Sequence, residues 1–104
     1  MSEQFNRLTA SEHERLALLA EELGEVMQAI GKILRHGYES VHPDGGPNNR
    51  VLLETELGDV NFAVGLMVKK KDLDGGSMRE TRDAKAVRID EYLHHQGSGA
   101  KEAG

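Results

Sequence analysis

A chain of 104 residues, 38% apolar and 4% aromatic with no tryptophan, has the size of one small domain with an aliphatic core. The absence of cysteine excludes disulfides, thiolate metal sites and cysteine nucleophiles, and is compatible with the cytosol. A formal net charge of −5 argues against a general nucleic-acid surface, which needs a basic face, and suits a protein that gathers divalent cations.

Residues 1–8 are polar apart from Phe5 and Leu8, which can anchor onto a neighbour, and contain no apolar core of the signal-peptide kind. No run reaches the ~18 apolar residues of a membrane span. The expected location is therefore the cytoplasm, without a membrane partner. Thr9-Ala10-Ser11-Glu12 is a capping-box pattern, so a first helix is expected from about Ala10. It should run to Arg35-His36-Gly37, where two basic groups suit the C-terminal dipole and glycine follows the last turn. Gly24 and Gly31 each weaken that helix by about 1 kcal/mol relative to alanine, which suggests close approach to another backbone or a ligand, or else a kink. Tyr38 to Asn49 holds Pro43, Pro47 and Gly45-Gly46 and reads as a loop, with Asn48 or Asn49 capping a second helix. This second helix should end at Lys69-Lys70-Lys71, and Asp72 to Gly76 should form a turn. That turn has the start of a calcium loop but lacks the rest of the pattern. Ser77-Met78-Arg79-Glu80 is a second capping box and predicts a third, weakly apolar helix to about His94. Residues 1–95 then make one all-α domain and residues 96–104 a disordered polar tail.

The chemistry lies in a repeat. Glu22-Leu-Gly-Glu-Val-Met-Gln-Ala-Ile30 aligns without a gap on Glu56-Leu-Gly-Asp-Val-Asn-Phe-Ala-Val64, identical at five of nine positions. Each copy sets two carboxylates three residues apart, on one helix face about a turn from each other. Four carboxylates brought together cannot all stay ionised without a cation, and hard oxygen ligands point to magnesium.

At ~100° per residue, Leu16, Leu19, Leu23, Met27, Ile30 and Leu34 form a stripe expected to face the core, with Glu22 and Glu25 beside it among Leu18 and Ala29. In the second helix, Leu53, Leu57, Val60, Val64 and Met67 form the expected core stripe, and Leu52, Ala63 and Leu66 surround Glu56 and Asp59. The far face carries Glu54, Gly58, Asn61 and Gly65. A solvated acidic face would place Glu56 and Asp59 there instead. Glu21 falls on a more exposed azimuth, as an outer-shell or solvated group. Lys32 lies two turns beyond Glu25 on nearly the same face, whereas Arg35 and His36 either contact substrate or, as favoured here, cap the helix.

Glu22-x-x-Glu25 followed by Glu56-x-x-Asp59 on a second helix resembles the all-α nucleoside triphosphate pyrophosphohydrolases. These include MazG-type enzymes, dimeric dUTPases, dCTP pyrophosphatases and phosphoribosyl-ATP pyrophosphohydrolases. The resemblance spans roughly residues 10–95 and, with Lys32 to Gly37 after the first motif, is strongest to the small MazG-like proteins common in phages, acting in a bacterium or infected host cell. It implies an antiparallel helical bundle of the MazG or dimeric dUTPase type, completed by homo-oligomerisation into a dimer or tetramer. It also implies two or three Mg²⁺ ions, with Mn²⁺ as a substitute, held by Glu22, Glu25, Glu56 and Asp59. The expected reaction cuts a nucleoside or deoxynucleoside triphosphate at the α-phosphorus to give the monophosphate and pyrophosphate, with Glu22 or Glu25 acting on the attacking water. Lys32, Arg35, Lys85 and Arg88 become substrate-binding candidates, although Asp83 stands where the family places an asparagine.

Other readings share parts of this pattern. A di-iron bundle needs Glu-x-x-His motifs, which neither copy supplies. A phosphoribosyl-ATP pyrophosphohydrolase would apply the same chemistry to another substrate, and a catalytically silent helical oligomer or regulator would keep the acids without the reaction. His94-His95 reads as a polar helix end, because adjacent residues diverge on a helix.

Overall fold

Thr9 starts the first helix as its sequence predicts. Its hydroxyl accepts from the Glu12 N–H at 3.0 Å while the Glu12 carboxylate accepts from the Thr9 N–H at 2.8 Å, a complete capping box. The computed structural model describes residues 5–96. They form α1 (Ala10–His36), α2 (Asn49–Lys69), α3 (Gly75–Arg88) and a 3₁₀ turn at Ile89–Glu91. Among the described residues there is no strand, only an isolated antiparallel bridge between Val41 and Asn48, and no helix is long and apolar enough to cross a membrane. The chain divides into two compact units, Met1–Leu73 and Asp74–Gly104. The expected tail falls, from residue 97 onward, outside the described residues.

In the first unit, α1 and α2 are pinned to each other at both ends. At one end the Gly37 N–H closes α1 onto the Ile33 carbonyl at 2.7 Å, with φ of 89° at Gly37, a left-handed value that favours glycine. The chain then returns through Tyr38 to Asn48. The Asn49 N–H reaches the Ser40 carbonyl, the Arg50 N–H reaches the Tyr38 carbonyl, and the Asn49 side-chain amide donates to the Gly37 carbonyl at 3.1 Å. Asn48 caps α2 by accepting from the Val51 N–H. At the other end Lys71 adopts φ of 68° and the Asp72 N–H bonds the Met67 carbonyl at 2.8 Å, a Schellman-type turn. This turn aims the Asp72 carboxylate at Arg15, which meets it with two hydrogen bonds, Nε at 2.6 Å and an Nη at 2.9 Å. The start of α1 thus lies beside the end of α2 and the end of α1 beside the start of α2, so the two helices run antiparallel.

The face that α1 lays on α2 differs from the expected one. Val26 and Ala29 are buried, with Leu18, Leu19, Glu22, Glu25 and Ile33 half-buried around them. The stripe read as core is largely open: Leu16, Leu23 and Ile30 are exposed, Met27 is 71% exposed and Leu34 is 81% exposed. On α2, Ala63 and Met67 are buried at 1% and 2% exposure while Leu57 is exposed. Within the first unit α2 covers one face of α1, and the small residues Val26, Ala29 and Ala63 lie buried on the two helices. The glycines likewise face outward. A Cβ built on Gly24, Gly58 or Gly65 would meet nothing within 4 Å, and one on Gly31 would meet only the Arg35 guanidinium, so no close approach inside the chain requires them.

In the second unit, α3 begins earlier than its capping-box pattern suggests. Asp74 caps it by accepting from the Gly76 N–H at 2.9 Å, ahead of the expected start at Ser77. It also ends earlier, at Arg88, where the chain tightens into the 3₁₀ turn and the N–H groups of Tyr92 and Leu93 both bond the Ile89 carbonyl. His94 and His95 lie beyond that turn, exposed and outside any helix. No residue of α3 is buried, in keeping with its thin apolar content.

Met67 is the largest fully buried side chain of this small core. Met67→Ala should lower the unfolding free energy by about 2–5 kcal/mol, the usual range for such a truncation, as read from urea denaturation followed by circular dichroism.

Candidate metal centre

The α1–α2 contact brings the repeated acids together. Carboxylate oxygens of Glu25, Glu56 and Asp59 lie within 4.8 Å of one another, across the two helices, and those of Glu21, Glu22 and Glu25 lie within the same distance along α1. Glu25 belongs to both groups and links them. Glu25, Glu56 and Asp59 therefore converge and Glu22 adjoins them through Glu25; Asp59, expected within the apolar arc, is exposed at the margin of the helix contact, as is Glu21, read from sequence as an outer or solvated group. Ala29 and Ala63, the shared alanines of the repeat, lie one turn beyond the acids and let the helices approach closely enough for the carboxylates to meet.

The electrostatics match this crowding. Burial raises the Glu22 carboxyl above the usual carboxylate range, with further contributions from Asp59, Glu25 and Glu56. Burial likewise raises Glu56, helped by Glu25 and Asp59. Negative charge is thus held where water is partly excluded and no basic side chain is among the causes of either shift. A hard cation is what such a site lacks. The donor set fits one, since every ligand atom is a carboxylate oxygen and no imidazole or sulfur belongs to either group.

Beside the acids, in the same unit, the last turns of α1, the Tyr38–Asn48 loop and the start of α2 enclose a cleft of about 460 Å³. Lys32, Arg35 and His36 line its α1 side. Arg35 and His36 occupy the last turn of α1, closed by the Gly37 backbone, as the capping reading has it, and both also line the cleft. Val41, His42, Pro43, Asn49 and Leu52 complete the opposite side. His42 and Asn49 had no sequence signal for such a place, because a loop carries no periodicity to show which residues face inward. Lys85 and Arg88 belong to the second unit, where they line another cleft with Thr81 and Tyr92.

Comparison of the chain with protein families, characterised proteins and solved structures finds no match. What the centre can do is therefore carried by its own donors and charges.

Because the raised carboxyls hold protons more tightly in the folded chain, their contribution to stability is present below the ordinary carboxylate range and lost as pH rises through their raised values. In EDTA, Glu56→Gln should accordingly have a higher Tm than the unsubstituted chain at pH 7, and the gap should close towards pH 4. Adding Mg²⁺ or Mn²⁺ about ten-fold above its Kd should raise the Tm of the unsubstituted chain by roughly 5 °C or more, and that of Glu56→Gln by less. Differential scanning fluorimetry across pH and metal concentration checks both.

Proposed function

We propose that the protein is a magnesium-dependent pyrophosphohydrolase that converts a nucleoside or deoxynucleoside triphosphate to the monophosphate and pyrophosphate. The observation that carries this reading is the meeting of Glu25 with Glu56 and Asp59, two copies of one acidic motif turned onto a common point from antiparallel helices. Such a cluster suits a substrate that arrives with its own negative charge only if cations lie between them. Triphosphates are such substrates, and phosphoryl-transfer sites hold Mg²⁺ through few carboxylates plus phosphate oxygens.

Glu22, Glu25, Glu56 and Asp59 would hold the ions. When bound, magnesium neutralises charge on the triphosphate and lowers the pKa of water. The protein's own groups do the rest. Glu22 or Glu25, adjacent along α1, accepts the proton of the water that attacks the α-phosphorus. The bond from the α-phosphorus to the α,β-bridging oxygen breaks, and the electron pair leaves with pyrophosphate. Lys32, which makes no ion pair among the described residues, supplies positive charge on the side of the cleft.

The exposed stripe on α1 supports the second half of the proposal, a homodimer or homotetramer. Leu16, Leu23, Met27, Ile30 and Leu34 follow alternating three- and four-residue steps after Leu23, the spacing of a helix–helix seam, and soluble monomers rarely leave such a row open. A second copy of the chain, paired about a two-fold axis, covers it with the same row.

Three outcomes test this reading. Products should be (d)NMP and pyrophosphate, by ion-exchange chromatography; (d)NDP and orthophosphate would refute it. Glu25→Gln and Asp59→Asn should each lose activity by at least about two orders of magnitude, with Glu54→Gln, on the exposed face, nearly unaffected. Light scattering should give twice or four times the chain mass, and Leu34→Glu should reduce it.

A further inference from the structure

The cleft beside the acids has a composition that its position alone does not explain. One side carries the basic side chains of Lys32 and Arg35 with the His36 ring; the other is apolar, from Val41, Pro43 and Leu52. No acidic residue lines it. The first N–H groups of α2 are already bonded, to the carbonyls of Ser40 and Tyr38 and to Asn48, so the helix start offers no cradle for a phosphate. The polar atoms left to a ligand are of both kinds. The His42 Nδ1 accepts from the Asp44 N–H at 3.0 Å, which places the ring proton on Nε2 and makes that nitrogen a donor. Asn49 donates its amide to the Gly37 carbonyl, which leaves its Oδ1 as the acceptor. Ser40 adds a hydroxyl.

The cleft also stands at a definite distance from the acids. Leu52 is one turn of α2 before Glu56, and Lys32 two turns of α1 after Glu25, or about 6 and 10 Å along the helices. That is the reach from an α-phosphorus to the base of the same nucleotide. Its volume of about 460 Å³ falls within the range of small-molecule sites, ~300–1,000 Å³.

We infer that this cleft is the nucleoside half of the substrate site. The base lies between the Arg35–His36 side and the Val41–Pro43 loop, and its edge is read by His42 Nε2 and Asn49 Oδ1. The inference rests on the proposed reaction for the position of the phosphates, but the cleft's donors and acceptors are independent of the acids. It makes Arg35 and His42 specificity-determining residues. A guanidinium stacks on base faces, and a site that hydrogen-bonds a base edge, here with the buried Asn49 as acceptor, discriminates far better than an apolar wall does.

The test separates this cleft from the metal centre. The full chain is titrated in EDTA with each of the common nucleoside and deoxynucleoside monophosphates, and with inorganic pyrophosphate, by isothermal titration calorimetry. At least one monophosphate should bind without metal, and pyrophosphate should not displace it. Arg35→Ala and His42→Ala, both at exposed positions, should weaken that binding by about ten-fold or more and raise KM for the matching triphosphate, with kcat within about three-fold. Glu25→Gln should bind the monophosphate normally while losing hydrolysis. No monophosphate binding, displacement by pyrophosphate at equal affinity, or unchanged affinity and KM in both variants would each overturn the inference. Binding in the cleft without hydrolysis of any triphosphate would leave it standing and overturn the proposed reaction instead.

Discussion

Mutual repulsion among carboxylates is the constraint on which this small protein turns. Glu25, Glu56 and Asp59 are held within a few ångströms where two helices meet, and Glu22 adds to them from the adjacent turn. Nothing in their chemistry favours that meeting. It is imposed by the buried residues that flank it on the two helices, Val26 and Ala29 on α1 and Ala63 and Met67 on α2, and by the closures at either end of the helix pair. In the metal-free chain these contacts oppose the acids. The raised carboxyls of Glu22 and Glu56 register that opposition as reluctance to ionise.

The repeat explains how so few residues achieve this. Two copies of one nine-residue pattern are placed on antiparallel helices, so that the acids of each face those of the other. Each copy contributes acids and, a turn later, the alanine that lets the partner helix close in. The same residue types that draw the helices together thus set the spacing of the charges between them.

Much of this was legible from the chain alone, for identifiable reasons. Thr9, Gly37 and Asn48 fix helix ends through local bonds, and local bonds are written in local sequence. The convergence of the acids was legible because the repeat gives both helices one face in common. The Ser77 capping box misled because Asp74 competes for the same turn and sits earlier in the chain. The stripe from Leu16 to Leu34 misled for a different reason: periodicity shows that a face is apolar without saying what covers it. The stretch from Arg35 to Asn49 could be marked for substrate contacts from sequence, but not which of its residues line a cleft, since His42 and Lys32 meet there only through the fold of an aperiodic loop.

The two end closures give the helix pair the mechanics of a beam supported at both ends. The loop bonds of Gly37, Tyr38 and Ser40 hold one support, and the Arg15–Asp72 pair holds the other. The acids lie near mid-span, where a beam bends most and where stiffness depends on both supports. The supports differ in kind. One joins amide hydrogen bonds, which do not titrate, to an Arg50–Glu39 pair between the loop and α2; in the other, Arg15 holds the Asp72 carboxyl below its ordinary range. That bond strengthens the fold above the ordinary carboxylate range and is lost as pH falls through the lowered value. As pH falls through that lowered value, the Arg15–Asp72 end loses its tie between the helices, while the backbone bonds of the loop end keep theirs.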